Sequence, residues 1–211
     1  MINVLNLYAG IGGNRYLWRN CNVTAVEINE DVAAIYKQYN PNDEIIITDA
    51  HDYLIHTDLQ QYDFIWSSPP CQTHTRMQWG QNRTHTYADM SLYQEIIFLR
   101  TFYKGKWVVE NVRPYYDYLV QPTQTVGRHV FWSNFWFHAD DIKQPKNFIK
   151  NLKKDELLAW LGLPDIETIG AYINTHDPYQ CFRNAVHPTL SAQIFNYIQP
   201  KEHRKQLHLD I

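Results

Sequence analysis

Pro69 and Pro70 stand side by side at the end of an apolar run, Tyr62-Asp63-Phe64-Ile65-Trp66, and a cysteine follows them at once. Neither proline donates an N–H, so a ladder of strand hydrogen bonds cannot pass through the pair. The run therefore reads as a short buried strand that leaves its sheet at Ser67-Ser68 and presents Cys71 on a loop at its carboxyl end. In open α/β sheets, ligands and chemistry collect at that end. A lone cysteine is more often a small buried hydrophobe than a nucleophile, so Cys71 needs support from the rest of the chain.

The chain before and after repeats the same construction. Ile2 to Tyr8 is an apolar run that ends in Ala9-Gly10-Ile11-Gly12-Gly13, which reads as a strand, a glycine turn and the opening of a helix over Asn14 to Trp18. Asn22 to Ile28 predicts a second strand ending in Glu27. Asn29 then caps a helix whose apolar residues Val32, Ile35, Tyr36 and Tyr39 fall on one face. Glu44 to Asp49 predicts a third strand, again ending in an acid, and the fourth runs into Cys71. Thr73 to Met90 is a polar loop with scattered aromatics. Ser91 and Gln94 suggest a capping box for a helix carrying Leu92, Ile96, Leu99 and Tyr103. Lys106 to Pro114 is a fifth strand containing Glu110. Gly127 to Phe137 predicts one or two more strands, followed by helices near residues 154–161 and 166–172 and a C-terminal helix through Ile194 and Ile198. Such alternation predicts an α/β fold with a doubly wound, mainly parallel sheet.

A chain of 211 residues holds one domain with a full core. No apolar run approaches a membrane span, and Met1-Ile2-Asn3-Val4-Leu5 has neither a basic leader nor a cleavage site, so no secretory signal is expected. The cysteines Cys21, Cys71 and Cys181 cannot all pair and lack metal-ligand spacing, which fits a reduced compartment and predicts no metal. The net charge of −3 hides an asymmetry. Acids dominate from Glu27 to Asp63, whereas Arg76, Arg83, Arg100, Lys104, Lys106 and Arg113 precede the acid-free run Lys143, Lys146, Lys150, Lys153, Lys154. The second region is suited to tracking phosphates, although the same charges also serve simply to solvate a surface.

Taken together, the glycine turn, the acids after strands two and three, Pro70-Cys71-Gln72 and Glu110-Asn111-Val112 resemble the DNA cytosine-5 methyltransferases. The resemblance runs from about Asn3 to Trp132, with a separate block from Gln180 to Ile198. It implies a Rossmann-like S-adenosylmethionine-dependent methyltransferase domain over residues 1–211. Tyr8, Ala9, Gly10, Gly12 and Gly13 would cradle S-adenosylmethionine, with Tyr8 on the adenine and S-adenosylhomocysteine as the product. Glu27 and Ile28 would meet the ribose, Asp49 and Ala50 the adenine amino group, and Pro69, Asn184 and Ala185 would complete the cofactor site.

Pro70 and Cys71 correspond to the family's catalytic pair, and Glu110 to its acid. The thiolate attacks cytosine C6, which makes C5 nucleophilic, while the acid stabilises charge at N3. Because C6 is inaccessible in a stacked duplex, the substrate that the resemblance implies is DNA with a flipped cytosine, or a single strand.

The sequence departs from the family at three places. One Arg and one His, Arg128-His129, stand where the family has Gln-x-Arg-x-Arg, and Arg128 is the expected base contact. Asn6 and Arg183 replace a frequent Asp and Gly. Residues 138–179 are a reduced remnant where the family inserts a target-recognition domain. Short or relaxed sequence preference follows, with Gln72, Arg76, Arg83, Lys143, Lys146 and Lys150 contacting nucleic acid and with any specificity partner unknown. The resemblance leaves a tRNA cytosine-5 methyltransferase and a silent binding homologue as alternatives, and it suggests a cytoplasmic, nucleoid-associated or phage-like setting.

Overall fold

The computed structural model describes residues 1–75, 87–148, 152–166 and 179–200. Strands β1 (Ile2–Leu7), β2 (Cys21–Glu27), β3 (Glu44–Ile47), β4 (Phe64–Ser67) and β5 (Lys106–Val112) pair in parallel. Two more, β6 (Gln124–Val126) and β7 (His129–Ser133), complete one sheet in the order β3-β2-β1-β4-β5-β7-β6. β7 runs antiparallel to β5, and β6 antiparallel to β7. The helices are α1 (Glu30–Tyr39), α2 (Ala50–His56), α3 (Ser91–Phe102), α4 (Lys154–Leu161), α5 (Gln180–Asn184) and α6 (Pro188–Asn196).

Alternation along each strand sends successive side chains to opposite faces. From β1, Leu5 and Leu7 join Leu54 of α2 and Leu92, Ile96 and Leu99 of α3 on one face. Val4 joins Phe64, Trp66, Phe131 and the α6 residues Leu190, Ile194 and Phe195 on the other, where Tyr36 of α1 also packs against Ala25. Helices thus cover both faces of a Rossmann-like sheet. Residues 152–163 do not form a separate lobe, because Leu157, Leu158 and Leu161 of α4 pack directly on Val32, Ile35 and Tyr39 of α1.

Three local expectations are corrected. Residues 14–18 form consecutive turns and no helix, with Tyr16 N–H on Gly12 O and Trp18 N–H on Arg15 O. The crossover has to retrace a six-residue strand, about 20 Å long. A helix over those five residues would advance only about 8 Å, so the more open chain is needed. The capping box at Ser91 is also absent. Met90 already has helical angles, φ −77° and ψ −10°, so Ser91 lies inside the first turn, and Asp89 Oδ1 takes its N–H at 2.9 Å. Asp49 does not lie at the end of a strand but caps α2, accepting the Asp52 N–H at 2.9 Å. The helix expected near 166–172 lies mostly outside the described residues.

The segment after the glycine turn is held by a buried ion pair. Arg15 donates from Nε and Nη2 to the two oxygens of Asp43, at 2.8 and 3.0 Å, while Tyr36 donates its hydroxyl to Oδ2 at 2.7 Å. Removing one member of such a pair leaves an uncompensated charge. Asp43→Ala is therefore expected to cost about 3–5 kcal/mol in a urea unfolding experiment, whereas a loss below about 1 kcal/mol would mean that Arg15 finds water in its place.

Candidate active site

β4 ends at Ser67, and the prolines that follow rely on outside groups to hold their backbone. Asn111, 2% exposed at the end of β5, donates Nδ2 to Pro69 O at 3.0 Å and accepts the Val112 N–H at 2.9 Å. Trp66 Nε1 donates to Ser68 Oγ at 2.8 Å, and Cys71 O accepts the N–H groups of His74 and Thr75, both at 3.0 Å. A bridge between Thr75 and Pro114 closes the turn. Cys71 is thus fixed beside the strand that carries Glu110.

Glu110 is buried, and its Oε1 lies 2.6 Å from His129 Nδ1. Arg128 donates Nε to His129 Nε2 at 3.2 Å, and its guanidinium sits 5.7 Å over the Phe148 ring. Burial first and the Glu110 carboxylate second push the Cys71 thiol up, with Arg128 pulling it partly back. Burial lowers Arg128 itself, and the charges of Glu110 and Cys71 oppose that shift. Cys71, Glu110 and Arg128 therefore form one electrostatic unit.

The other half of the cleft is the glycine turn. Tyr8 and Gly10 both have positive φ, 54° and 56°. A Cβ on Gly10 would meet nothing within 4 Å, so bare backbone faces open space there. Glu27 closes the wall, its Oε2 accepting the Gly10 N–H and its Oε1 the Asn29 N–H, each at 2.9 Å. Behind Tyr8 lies Glu95, with no exposed surface. It accepts the Tyr8 hydroxyl at 2.5 Å and the Ser67 hydroxyl at 2.7 Å, and it stands 3.2 Å from His51 Nδ1. Burial, then Glu95, pushes the Tyr8 hydroxyl upward, with Asp49 adding to the effect, while the Glu95 bond raises His51.

The C-terminal block seals this turn. A Cβ on Gly13 would lie 2.9 Å from both Ala185 Cβ and Val186 O. Trp18 stacks on Phe195 at 4.7 Å, and its Nε1 donates to Ser191 Oγ at 3.2 Å.

The resulting cleft of about 320 Å³ gathers most of the residues singled out by sequence. Tyr8, Ala9, Gly10, Gly13, Glu27, Ile28, Pro69, Pro70, Cys71, Gln72, Glu110, Arg128, Asn184 and Ala185 line it. Gly12 stands behind the wall, where a Cβ would come within 2.4 Å of Asn40 Nδ2. Asp49 and Ala50 are outside the lining, as are the exposed Lys143 and Lys146. Arg76, Arg83 and Lys150 lie outside the described residues. His129, Asn111 and Asn29 were not anticipated. Strand alternation carries a signal for His129, because it falls in phase with the buried Phe131 and Arg128 does not.

The family model described as C-5 cytosine-specific DNA methylase matches residues 2–118. The chain belongs to that family. No curated protein matches it. Among solved structures, the Entamoeba histolytica methyltransferase EhMeth is 14% identical, with 94% of this chain and 98% of that one covered and a TM-score of 0.57. A DNMT2 variant from Spodoptera frugiperda is 26% identical over 53% of this chain and 36% of its own, with a TM-score of 0.38. The Dnmt2 methyltransferase of S. pombe is 20% identical over 53% and 34%, again at 0.38. The chain thus spans about a third of the length of these two Dnmt2 chains. S-adenosylmethionine is the cofactor of this C-5 methylase chain. Among the described residues no cluster of His, Cys, Asp and Glu is arranged to hold a metal, and no helix is long and apolar enough to cross a membrane.

The raised Cys71 thiol makes a checkable statement about the resting protein. Only the thiolate alkylates, so iodoacetamide labelling of Cys71, mapped by mass spectrometry, should be slow at neutral pH and should keep rising above the pH at which free cysteine levels off. Arg128→Met should move that profile further up. Full labelling of Cys71 at pH 7 would contradict the burial effect.

Proposed function

We propose that this C-5 methylase transfers a methyl group to C5 of cytosine in DNA through a covalent bond between Cys71 and C6. The observation that carries the reading is the convergence of a loop thiol, a buried carboxyl and a guanidinium at one end of a cleft whose other end is bare glycine backbone.

The cleft fits the cofactor. Its volume falls within the range of small-molecule sites, and the chemistry of its far end suits an adenosine. Glu27, pinned by two backbone donors, offers its remaining lone pairs to a ribose diol, and Tyr8 offers a ring tied in place through its hydroxyl. Ala9, Gly10, Gly13, Ile28, Pro69, Asn184 and Ala185 complete the enclosure, Gly12 supports it from behind, and Asp49 and Ala50 stand beyond Tyr8. S-adenosylmethionine, when bound, supplies an electrophilic methyl group and leaves as S-adenosylhomocysteine.

The residues then act on the base. Cys71 Sγ bonds C6 of the cytosine while Glu110 gives a proton to N3, so that electron density gathers at C5. After C5 has been methylated it loses its proton to water, N3 returns its proton to Glu110, and the S–C6 bond breaks with the thiolate leaving. Pro70 fixes the approach of Cys71, and Arg128 stabilises the thiolate and the base. The thiol rests above its ordinary range, so the step begins with its proton passing to solvent as the base enters, and Arg128 holds the thiolate that then attacks C6. The base reaches this half-buried thiol only when flipped from a duplex or already single-stranded.

Residues 1–211 act as a single catalytic domain in which 138–179 is a remnant recognition segment. Between Ser133 and Lys154 the described residues contain no regular element, which supports short or relaxed sequence preference. Gln72 at the cleft mouth and the exposed Lys143 and Lys146 are suited to the nucleic acid, with Arg76, Arg83 and Lys150 as further candidates.

Incubation with cofactor and DNA containing 5-fluorocytosine should trap an adduct on Cys71, because fluorine cannot leave as the C5 proton does. Cys71→Ala should abolish the adduct and keep S-adenosylhomocysteine binding. Glu110→Gln should slow transfer by about 10²–10⁴-fold. Labelling confined to tRNA in a parallel assay would move the substrate from DNA to RNA, and an adduct on another residue would end the proposal. Bisulfite sequencing of methylated random DNA should show a motif of only a few bases; a long strict consensus would refute relaxed preference.

A further inference from the structure

Glu110 has two carboxyl oxygens, and the structure differentiates them. Oε1 lies 2.6 Å from His129 Nδ1, whereas among the described residues Oε2 makes no hydrogen bond. The state of the imidazole follows from its other nitrogen. His129 Nε2 receives Arg128 Nε at 3.2 Å, and a guanidinium donates but never accepts. Nε2 must therefore present a lone pair. The ring proton is on Nδ1, and it is this N–H that donates to Glu110 Oε1. An imidazolium would place two N–H groups head to head at Nε2, so the contact selects the neutral ring.

The ring is also held by the fold. His129 opens β7, opposite Val112 of β5, and faces the same side as Phe131, which is opposite Glu110. Phe131 lies 6.2 Å from it, ring to ring. Arg128, half-buried and packed over Phe148, fixes the second nitrogen.

We propose that His129 is a positioning residue for Glu110: held as the neutral Nδ1–H tautomer by Arg128, it occupies Oε1 and leaves Oε2 as the oxygen that exchanges a proton with the base. The donor it brings carries no fixed charge at hydrogen-bond distance, so the carboxyl is oriented without being locked as an ion pair. When Glu110 has given its proton to N3, the same N–H stabilises the carboxylate that remains, and the proton returns to Oε2 when the S–C6 bond breaks. Arg128 then has two tasks, the charge felt by Cys71 and the selection of the His129 tautomer.

This inference rests on Glu110 as the proton donor in the proposed transfer, and the test separates the two. An Asn amide can replace the Nδ1 donor of a histidine, whereas a Gln amide reaches the place of Nε2. In single-turnover methyl transfer at saturating DNA and cofactor, His129→Gln should be slowed by about 10²-fold and His129→Asn should recover at least about tenfold of that loss. S-adenosylhomocysteine affinity should stay at the wild-type value in both. Equal rates for the two variants, or losses that track their melting temperatures, would overturn the role. Nitrogen-15 NMR of the histidine rings in the wild-type protein gives a reading that no variant's folding can confuse. It should find Nδ1 protonated and Nε2 bare at residue 129, and the opposite tautomer would overturn the proposal. A wild-type protein that forms no Cys71 adduct with 5-fluorocytosine DNA would remove the role of Glu110 and that of His129 with it. An adduct combined with indifferent variants would remove only the role of His129.

Discussion

One side-chain to main-chain hydrogen bond, from Asn111 Nδ2 to Pro69 O, holds the Cys71 loop against the strand that carries Glu110. The proline pair makes that bond necessary. Prolines free the chain from the sheet, but they also remove the N–H groups through which a loop usually anchors itself. Anchorage has to come from a neighbour, and the parallel register of β4 with β5 brings the end of β5 alongside. A buried amide with both ends satisfied is a stiff strut, because every alternative arrangement strands a polar group.

The second organising contact closes the opposite end of the cleft. Gly13 is pressed by Ala185 and Val186, while Trp18 lies between Phe64, Trp66 and Phe195. The first thirty residues and the last described ones thereby form one wall. That wall depends on long-range packing, and a helix after the glycine turn would have kept Trp18 from reaching α6. The chain keeps only turn hydrogen bonds at 14–18 and gains aromatic burial that joins Trp18 to α6.

Much of this architecture is visible in local residue patterns. Asn29 does accept the Val32 N–H at 3.0 Å, and the stripe Val32, Ile35, Tyr36, Tyr39 is buried as its spacing demands. The nearness of Cys71 and Glu110 follows from the parallel register, which sets Ser67, the last residue of β4, opposite Val109, one residue before Glu110. What local pattern does not carry is the partner of a polar side chain many residues away. Glu95 looks like one more helix residue until Tyr8, 87 positions earlier, turns out to donate to it. Asp49 resembles its strand-end counterpart Glu27, yet a seven-residue helix after it, too short to show a period, makes it a cap. Arg128 drew attention by its residue type, whereas the phase of β7 brings its neighbour to the acid.

Glu95 also links the two halves of the cleft. Its Oε1 holds the aromatic of the glycine turn and its Oε2 holds the last residue of β4, so a single carboxylate supports both the glycine-turn end and the Cys71 end. Sequence change in this protein is constrained accordingly. A substitution that loosens Tyr8 leaves Oε1 to His51 alone, and a substitution at Ser67 strips Oε2 of its donor. A change at one end therefore reaches the other through this carboxylate. In this chain the glycine turn and the Cys71 loop rest on one shared support.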